Sequence, residues 1–405
     1  SMALSMTPVT ASAADKVDIN VIAAQYGQQT ADWWANFVTE FNEANPDINL
    51  NVEVVSWNDI YTVVNTRIAN GEAPDVLNID VFADYQADDL LLPIQDVVSE
   101  ETYSKMYDAF LAQSEVDGTV WAIPDLASAR AMYYNKDILD AAGVEVPTTW
   151  DEFEEVLQKL SDAGIQPLTT GGSDKWGATR LINAYAVRTA GNDIMTKAAD
   201  GEVPYTDEKL VAAADKIAEW AEKGYFGEGI TTVDMNTAGS MLMSGKAAIF
   251  YNGSWFTQNL TDDSQNPAGE DGIGFFNIPV ADESISSATS YSMNCGNILA
   301  LDNDKYDEAT GWFLKYFMEN IGNVAMEDQG TVKGYTYDVA ADDMDNYTKL
   351  VLDEIDKSTE GFAWWEAKMP SEISKTAQEN VQPLLNGEMT GEEYMQSIQD
   401  VYDMQ

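Results

Sequence analysis

The residues of this chain best equipped for chemistry are its 11 tryptophans, several of which fall at strand ends or in loops rather than along helix stripes. Trp57 follows the alternating run Leu50 to Val55, and Trp255 follows Ala248-Ile-Phe-Tyr251. Trp176 lies in the glycine-rich segment Gly171-Gly-Ser-Asp-Lys-Trp-Gly177, and Trp364 and Trp365 precede Pro370, next to Glu366. An indole offers a flat apolar face and one N–H donor. Gln25, Tyr26 and Asp80 fall at the ends of other predicted strands, Asp125 and Arg130 follow Pro124, and Arg180 lies just beyond Trp176. Flat rings among a few convergent polar groups suit a ligand with a C–H face and a hydroxyl edge, which describes a sugar. The predicted ligand contacts are Gln25, Tyr26, Trp57, Asp80, Asp125, Arg130, Trp176, Arg180, Trp255, Glu366 and the pair Trp364 and Trp365, one of which faces the cleft. Each has a plainer reading. Asp80 could cap a helix, Trp57 could close a core, and Asp125 and Arg130 could form an ion pair or be solvated. Lys333 reads as a surface lysine. Trp33, Trp34, Trp150, Trp220 and Trp312 fall on predicted helices and read as core or helix-surface residues.

Composition removes other chemistries. There is no histidine and one cysteine, Cys295. That excludes triads built on imidazole, HExxH zinc sites and CxxC pairs. No Walker loop, GxGxxG or GxSxG is present. Asp302-Asn-Asp-Lys-Tyr-Asp307 lacks the glycine and the final glutamate of a calcium loop. With 21 Lys and Arg against 69 Asp and Glu, the formal charge is −48. Such a chain repels nucleic acid and anionic membranes, and this acidity also speaks against an anionic ligand. The 45% hydrophobic and 11% aromatic content is that of a folded protein.

The elements that must position these residues alternate. Val17–Ala23, Leu50–Val55 and Val76–Ile79 read as strands. Between them, Trp34, Phe37, Val38 and Phe41, then Ile60, Val63, Val64 and Ile68, recur at helical spacing. This order predicts a mostly parallel sheet flanked by helices. Thr149 and Glu152 form a capping box before a second set of elements. Strands are expected at Ala248–Tyr251, Gly274–Ile278 and Asn297–Leu301, and the chain from about Tyr347 reads as almost all helix. In α/β sheets of this kind ligands bind beyond the carboxyl ends of strands. Residues 1–14 read as the tail of an export signal, with Ala11-Ser12-Ala13 as a cleavage-type site.

The ordered set of motifs resembles a known family. Phe41-Asn-Glu-Ala-Asn-Pro-Asp47, Trp57-Asn-Asp59 and Ala69-Asn-Gly-Glu-Ala-Pro-Asp-Val76 are similar to the first lobe of bacterial extracellular solute-binding proteins of the maltose-binding type. Asp117-Gly-Thr-Val-Trp-Ala-Ile-Pro124, Tyr133-Tyr-Asn-Lys-Asp137 and Pro147-Thr-Thr-Trp-Asp-Glu-Phe153 continue the match. So do Met243-Ser-Gly-Lys-Ala-Ala248, Asn252-Gly-Ser-Trp255 and Leu384-Leu-Asn-Gly-Glu-Met389. The resemblance implies an α/β fold of two lobes that close on ligand, the Venus-flytrap or type II periplasmic-binding-protein architecture. Lobe one would be 15–124 plus 293–336, and lobe two 125–292 plus 337–405. It implies a non-catalytic monomer without cofactor or metal, located outside the cell, either periplasmic or lipid-anchored. Its partners would be an oligosaccharide and the permease subunits of an ABC importer. Two alternatives remain: the same fold binding a cationic molecule such as a polyamine, and a glycosidase using two carboxylates.

Overall fold

A computed structural model describes residues 16–25, 29–57, 59–79, 85, 89–125, 127–295, 298–329, 332–339 and 344–405. Residues 1–14, Tyr26 and Asp80 lie outside the described residues. Two separate sheets organise the chain. The first takes the order β2-β1-β3-β12-β6, from β1 (Val17–Gln25), β2 (Ile48–Ser56), β3 (Val76–Ile79), β6 (Ile123–Pro124) and β12 (Ile298–Leu301). A hairpin of β4 (Glu115–Val116) and β5 (Thr119–Val120) precedes β6. The second sheet takes the order β13-β11-β7-β9-β8, from β7 (Ser128–Asn135), β8 (Gln166–Thr169), β9 (Ala247–Gly253), β11 (Ser290–Asn294) and β13 (Glu360–Phe362). β10 (Ile273–Phe276) also pairs with β7.

The sheets are mixed rather than mostly parallel. β1 runs parallel to β2 and β3, which are joined through helices, but β12 runs antiparallel to both β3 and β6. β7 is antiparallel to β9, β10 and β11, whereas β8 with β9 and β11 with β13 are parallel. A helical crossover returns a strand in the same direction. β7 and β12 instead arrive directly from a strand of the other sheet, so no crossover sets their direction.

Local sequence explains the helices that frame the sheets. Thr30 accepts from the Trp33 amide and starts the helix Ala31–Ala44, and Asn45 ends it by donating to the Phe41 carbonyl. The buried face, Trp34, Phe37 and Phe41, meets Phe313 and Phe317 of the helix Glu308–Gln329. Thr149 and Glu152 complete the capping box of the helix Trp150–Asp162. Trp150 stacks on Trp220 at 5.9 Å between ring centroids. The helices Ser371–Glu379 and Gly391–Asp403 bring Ile373, Tyr394 and Ile398 into that same core. Trp312 stays 48% exposed on the helix surface.

β13 interrupts the region expected to be almost all helical and ties the second sheet to the turn Asp108–Gln113. The approach requires glycine: a Cβ on Gly361 would fall 1.9 Å from the Ala109 carbonyl oxygen. Gly361→Ala should therefore lower stability by about 1–3 kcal/mol, as overpacking does. Urea unfolding measures this, and an unchanged midpoint would contradict so close a contact.

Candidate ligand-binding site

The second sheet gathers most of the predicted contacts. Arg130 sits on the central strand β7, in register with Gly253 of β9 and Ser292 of β11. It is 2% exposed. Its guanidinium carbon lies 5.4 Å from the Trp176 ring centroid, 5.2 Å from Trp255 and 5.8 Å from Tyr251. Trp255 occupies the 3-10 turn directly after β9. A Cβ on Gly253 would fall 2.1 Å from the Trp255 ring, so only glycine lets the indole fold back over the strand end. Trp255 and Trp176 meet edge to face at 6.0 Å, with an interplanar angle of 62°, and both are half-buried.

Trp176 lies on an element that was not expected. It is the first residue of the helix Trp176–Ala190, not a loop residue. One turn later Arg180 places its guanidinium 5.2 Å from the Trp364 ring and pairs with Glu366. The Glu366 carboxylate also accepts from Thr179 Oγ1 and, at 3.5 Å, from Gln378 Nε2. Trp364, itself 5% exposed, is thus the member of its pair that lies beside Arg180. Trp365 is a core residue: it is 1% exposed, lies edge to face with Tyr394, and donates from Nε1 to Met369 Sδ at 2.7 Å. Burial holds the Arg130 guanidinium down to about 9, and the nearby Arg180 charge pushes the same way.

A second polar group forms where the chain leaves β6. Asp125 is fully buried and accepts from Gln29 Nε2 at 3.2 and 3.3 Å and from Asn78 Nδ2 at 2.9 Å. Lys333 is 2% exposed, not a surface lysine. Its ammonium donates to the Asp125 carbonyl at 2.9 Å and to Gln29 Oε1, and lies 5.8 Å from the Trp33 ring. Tyr335 Oη donates to the Pro124 carbonyl at 2.7 Å, pinning the same crossing. Neither Asp125 nor Arg130 is a solvated charge, and the described partners of Asp125 are amides and Lys333 rather than Arg130. Gln25 ends β1 opposite Ser56. Trp57 follows β2, is 44% exposed, and meets Tyr61 edge to face at 6.4 Å.

Sequence reading missed Gln29, Asn78, Tyr251 and the buried role of Lys333. For Tyr251 a signal exists, because Ala248–Tyr251 reads as a strand and Tyr251 stands two residues before the end of β9. A cavity of about 890 Å³ opens elsewhere, lined by Val21, Trp34, Leu50, Arg67, Asp75 and Lys305 among others. It shares no residue with the aromatic cluster. Convergent rings and buried charges place the candidate site at the cluster. Among the described residues, no helix is long and apolar enough to cross a membrane.

Residues 26–324 match the bacterial extracellular solute-binding protein family, and the chain belongs to that family. A probable sugar-binding periplasmic protein of Rhizobium meliloti is 29% identical over 218 residues, 50% of this chain and 51% of the relative. The multiple sugar-binding protein of Streptococcus mutans is 25% identical over 248 residues, 60% of this chain and 58% of the relative. The chain thus spans between half and three fifths of the length of these curated relatives. A chitin oligosaccharide binding protein superposes with a TM-score of 0.79 at 21% identity, covering 96% of this chain and 99% of that one, and shares its fold.

Lys333 gives a pH signature. Burial lowers its ammonium from 10.5 to about 8, with Asp125 opposing the shift. The unfolded chain then binds the proton more tightly, so this group's contribution to stability is complete above about 10.5 and is lost as pH falls through about 8. Lys333→Met should flatten the rise in unfolding free energy across that window relative to the wild type. Identical slopes in denaturant titrations at several pH values would contradict the burial.

Proposed function

We propose that this chain is a non-catalytic extracellular receptor. It captures an oligosaccharide between two lobes and delivers it to the permease subunits of an ABC importer. The observation that carries the reading is the angled pair Trp176, at the start of its helix, and Trp255, directly after β9, both beside Arg130. Two indoles at 62° offer adjoining faces to successive sugar rings. Arg180, Glu366 and Trp364 extend the wall, and Gln25 and Trp57 stand at the strand ends of the first sheet. Tyr26 and Asp80 belong to the same proposal. The names of the Rhizobium and Streptococcus relatives, which are sugar-binding, agree with it.

The proposed lobes are 15–124 plus 293–336 and 125–292 plus 337–405. Strand membership supports the boundary at 124, since the first sheet uses residues up to 124 plus β12 and the second begins at β7, whereas the boundary at 293 falls inside β11 of the second sheet. Ligand contacts made from both lobes favour the closed arrangement, and the permease would select that form. The receptor acts as a monomer, outside the cell, without cofactor or metal. A polyamine is disfavoured, because the aromatic cluster is built around arginines.

Titration calorimetry against an oligosaccharide panel tests the reading. Ligand addition should change tryptophan fluorescence. Trp255→Ala should weaken binding by more than about 1 kcal/mol, as loss of an aromatic anchor does. A folded Trp255→Ala variant with unchanged affinity would remove this ring from the site, and turnover of any glycoside would overturn the receptor reading.

A further inference from the structure

In a chain whose acids outnumber its bases 69 to 21, the buried charges are balanced differently. Among the described residues, Arg130, Arg180, Arg188, Lys333 and Lys368 are buried, against Asp125, Asp302, Glu354 and Glu366. The other four cations each have acceptors. Arg180 pairs with Glu366. Arg188 donates to the carbonyls of Ile278, Ser287 and Ser290. Lys333 donates to the Asp125 carbonyl, and Lys368 to the carbonyls of Gln113 and Glu115.

Arg130 is the exception. Its Nε and Nη1 have no hydrogen-bond partner among the described residues, although the residue is 2% exposed. The charges that act on it are the like charge of Arg180, the Glu366 carboxylate already engaged by Arg180, and the tyrosines Tyr251 and Tyr133. Aromatic faces attract a guanidinium but accept none of its in-plane N–H bonds. A buried cation without an anion is costly, and a neutral hydroxyl would satisfy a donor while leaving the charge in place.

We propose that Arg130 is the anion anchor of this site and that the ligand is an acidic oligosaccharide, one of whose sugar rings carries a single carboxylate. This rests on the sugar-receptor reading and refines its ligand class. Trp176 and Trp255 are half-buried, with ring centroids 5.4 and 5.2 Å from the guanidinium carbon, so a uronate ring at the exposed edge of either indole would bring its carboxylate toward Arg130. One uncompensated cation matches a monoanion. A dianionic phosphate would overcompensate it and would meet stronger repulsion from a chain of charge −48.

The test uses the full chain and three matched ligands in calorimetry: neutral oligosaccharides, the corresponding uronate oligosaccharides, and methyl esters of those uronates. A sugar phosphate forms a fourth arm. The uronates should bind about ten- to a hundredfold more tightly than the neutral or esterified forms, as expected for a charge-assisted hydrogen bond. Added salt should narrow the gap. Arg130→Gln should erase the preference, and Arg130→Lys should keep part of it. The ligand comparison needs no substitution, so a variant that fails to fold leaves the test intact. Equal or tighter binding of neutral sugars overturns the acidic ligand alone. Tighter binding of the sugar phosphate overturns the carboxylate. Full uronate preference in a folded Arg130→Gln variant overturns the anchor. If no sugar of any arm binds, this inference fails together with the sugar-receptor reading.

Discussion

A guanidinium on the central strand of a buried sheet is costly to desolvate, and what gathers around it organises the second half of the molecule. Arg130 is only 2% exposed, and aromatic rings converge on it from β9, from the turn after β9, and from the start of the helix Trp176–Ala190. Arg180 and Glu366 then form the next layer, bringing in the C-terminal segment. The tryptophans therefore stand where they do because a charge lies behind them. Their outward surface is a by-product of packing around that charge, and it is this surface that can meet a ligand.

The two lobes divide the work unevenly. Near the first sheet the polar groups bond to one another: Asp125 accepts from Gln29 and Asn78, Lys333 donates to Gln29 and to the Asp125 carbonyl, and Tyr335 holds the Pro124 carbonyl, while Asn78 Oδ1 has no partner among the described residues. Such a network fixes the path of the chain as it passes from β6 to β7. Around Arg130 the donors are not saturated. One cluster holds the crossing and the other keeps bonding capacity in reserve.

The framework was legible because its signals are local. Thr149 and Glu152 announced a helix start that the structure contains, and Trp34, Phe37 and Phe41 announced a buried stripe. The site was legible only in part. Trp364 and Trp365 are neighbours of equal chemistry, and only the position of Tyr394, nearly 30 residues on, assigns Trp365 to the core. The helix carrying Trp176 and Arg180 is buried on most sides, so it shows little polar–apolar alternation, and Lys175 before it has positive φ and makes no side-chain cap. Lys333 looked exposed because lysine usually is, and nothing nearby in sequence reveals Asp125 or Gln29.

The chain's only thiol has a consequence of its own. Cys295 follows β11, is fully buried, donates to the Phe110 carbonyl, and has its thiol pushed up to about 12 by burial. A thiol in that state reacts with an alkylating reagent only after the surrounding backbone opens. With no second cysteine to compete, the labelling rate at this one atom serves as a clock for local opening where the chain passes between its two sheets, read without any engineered probe.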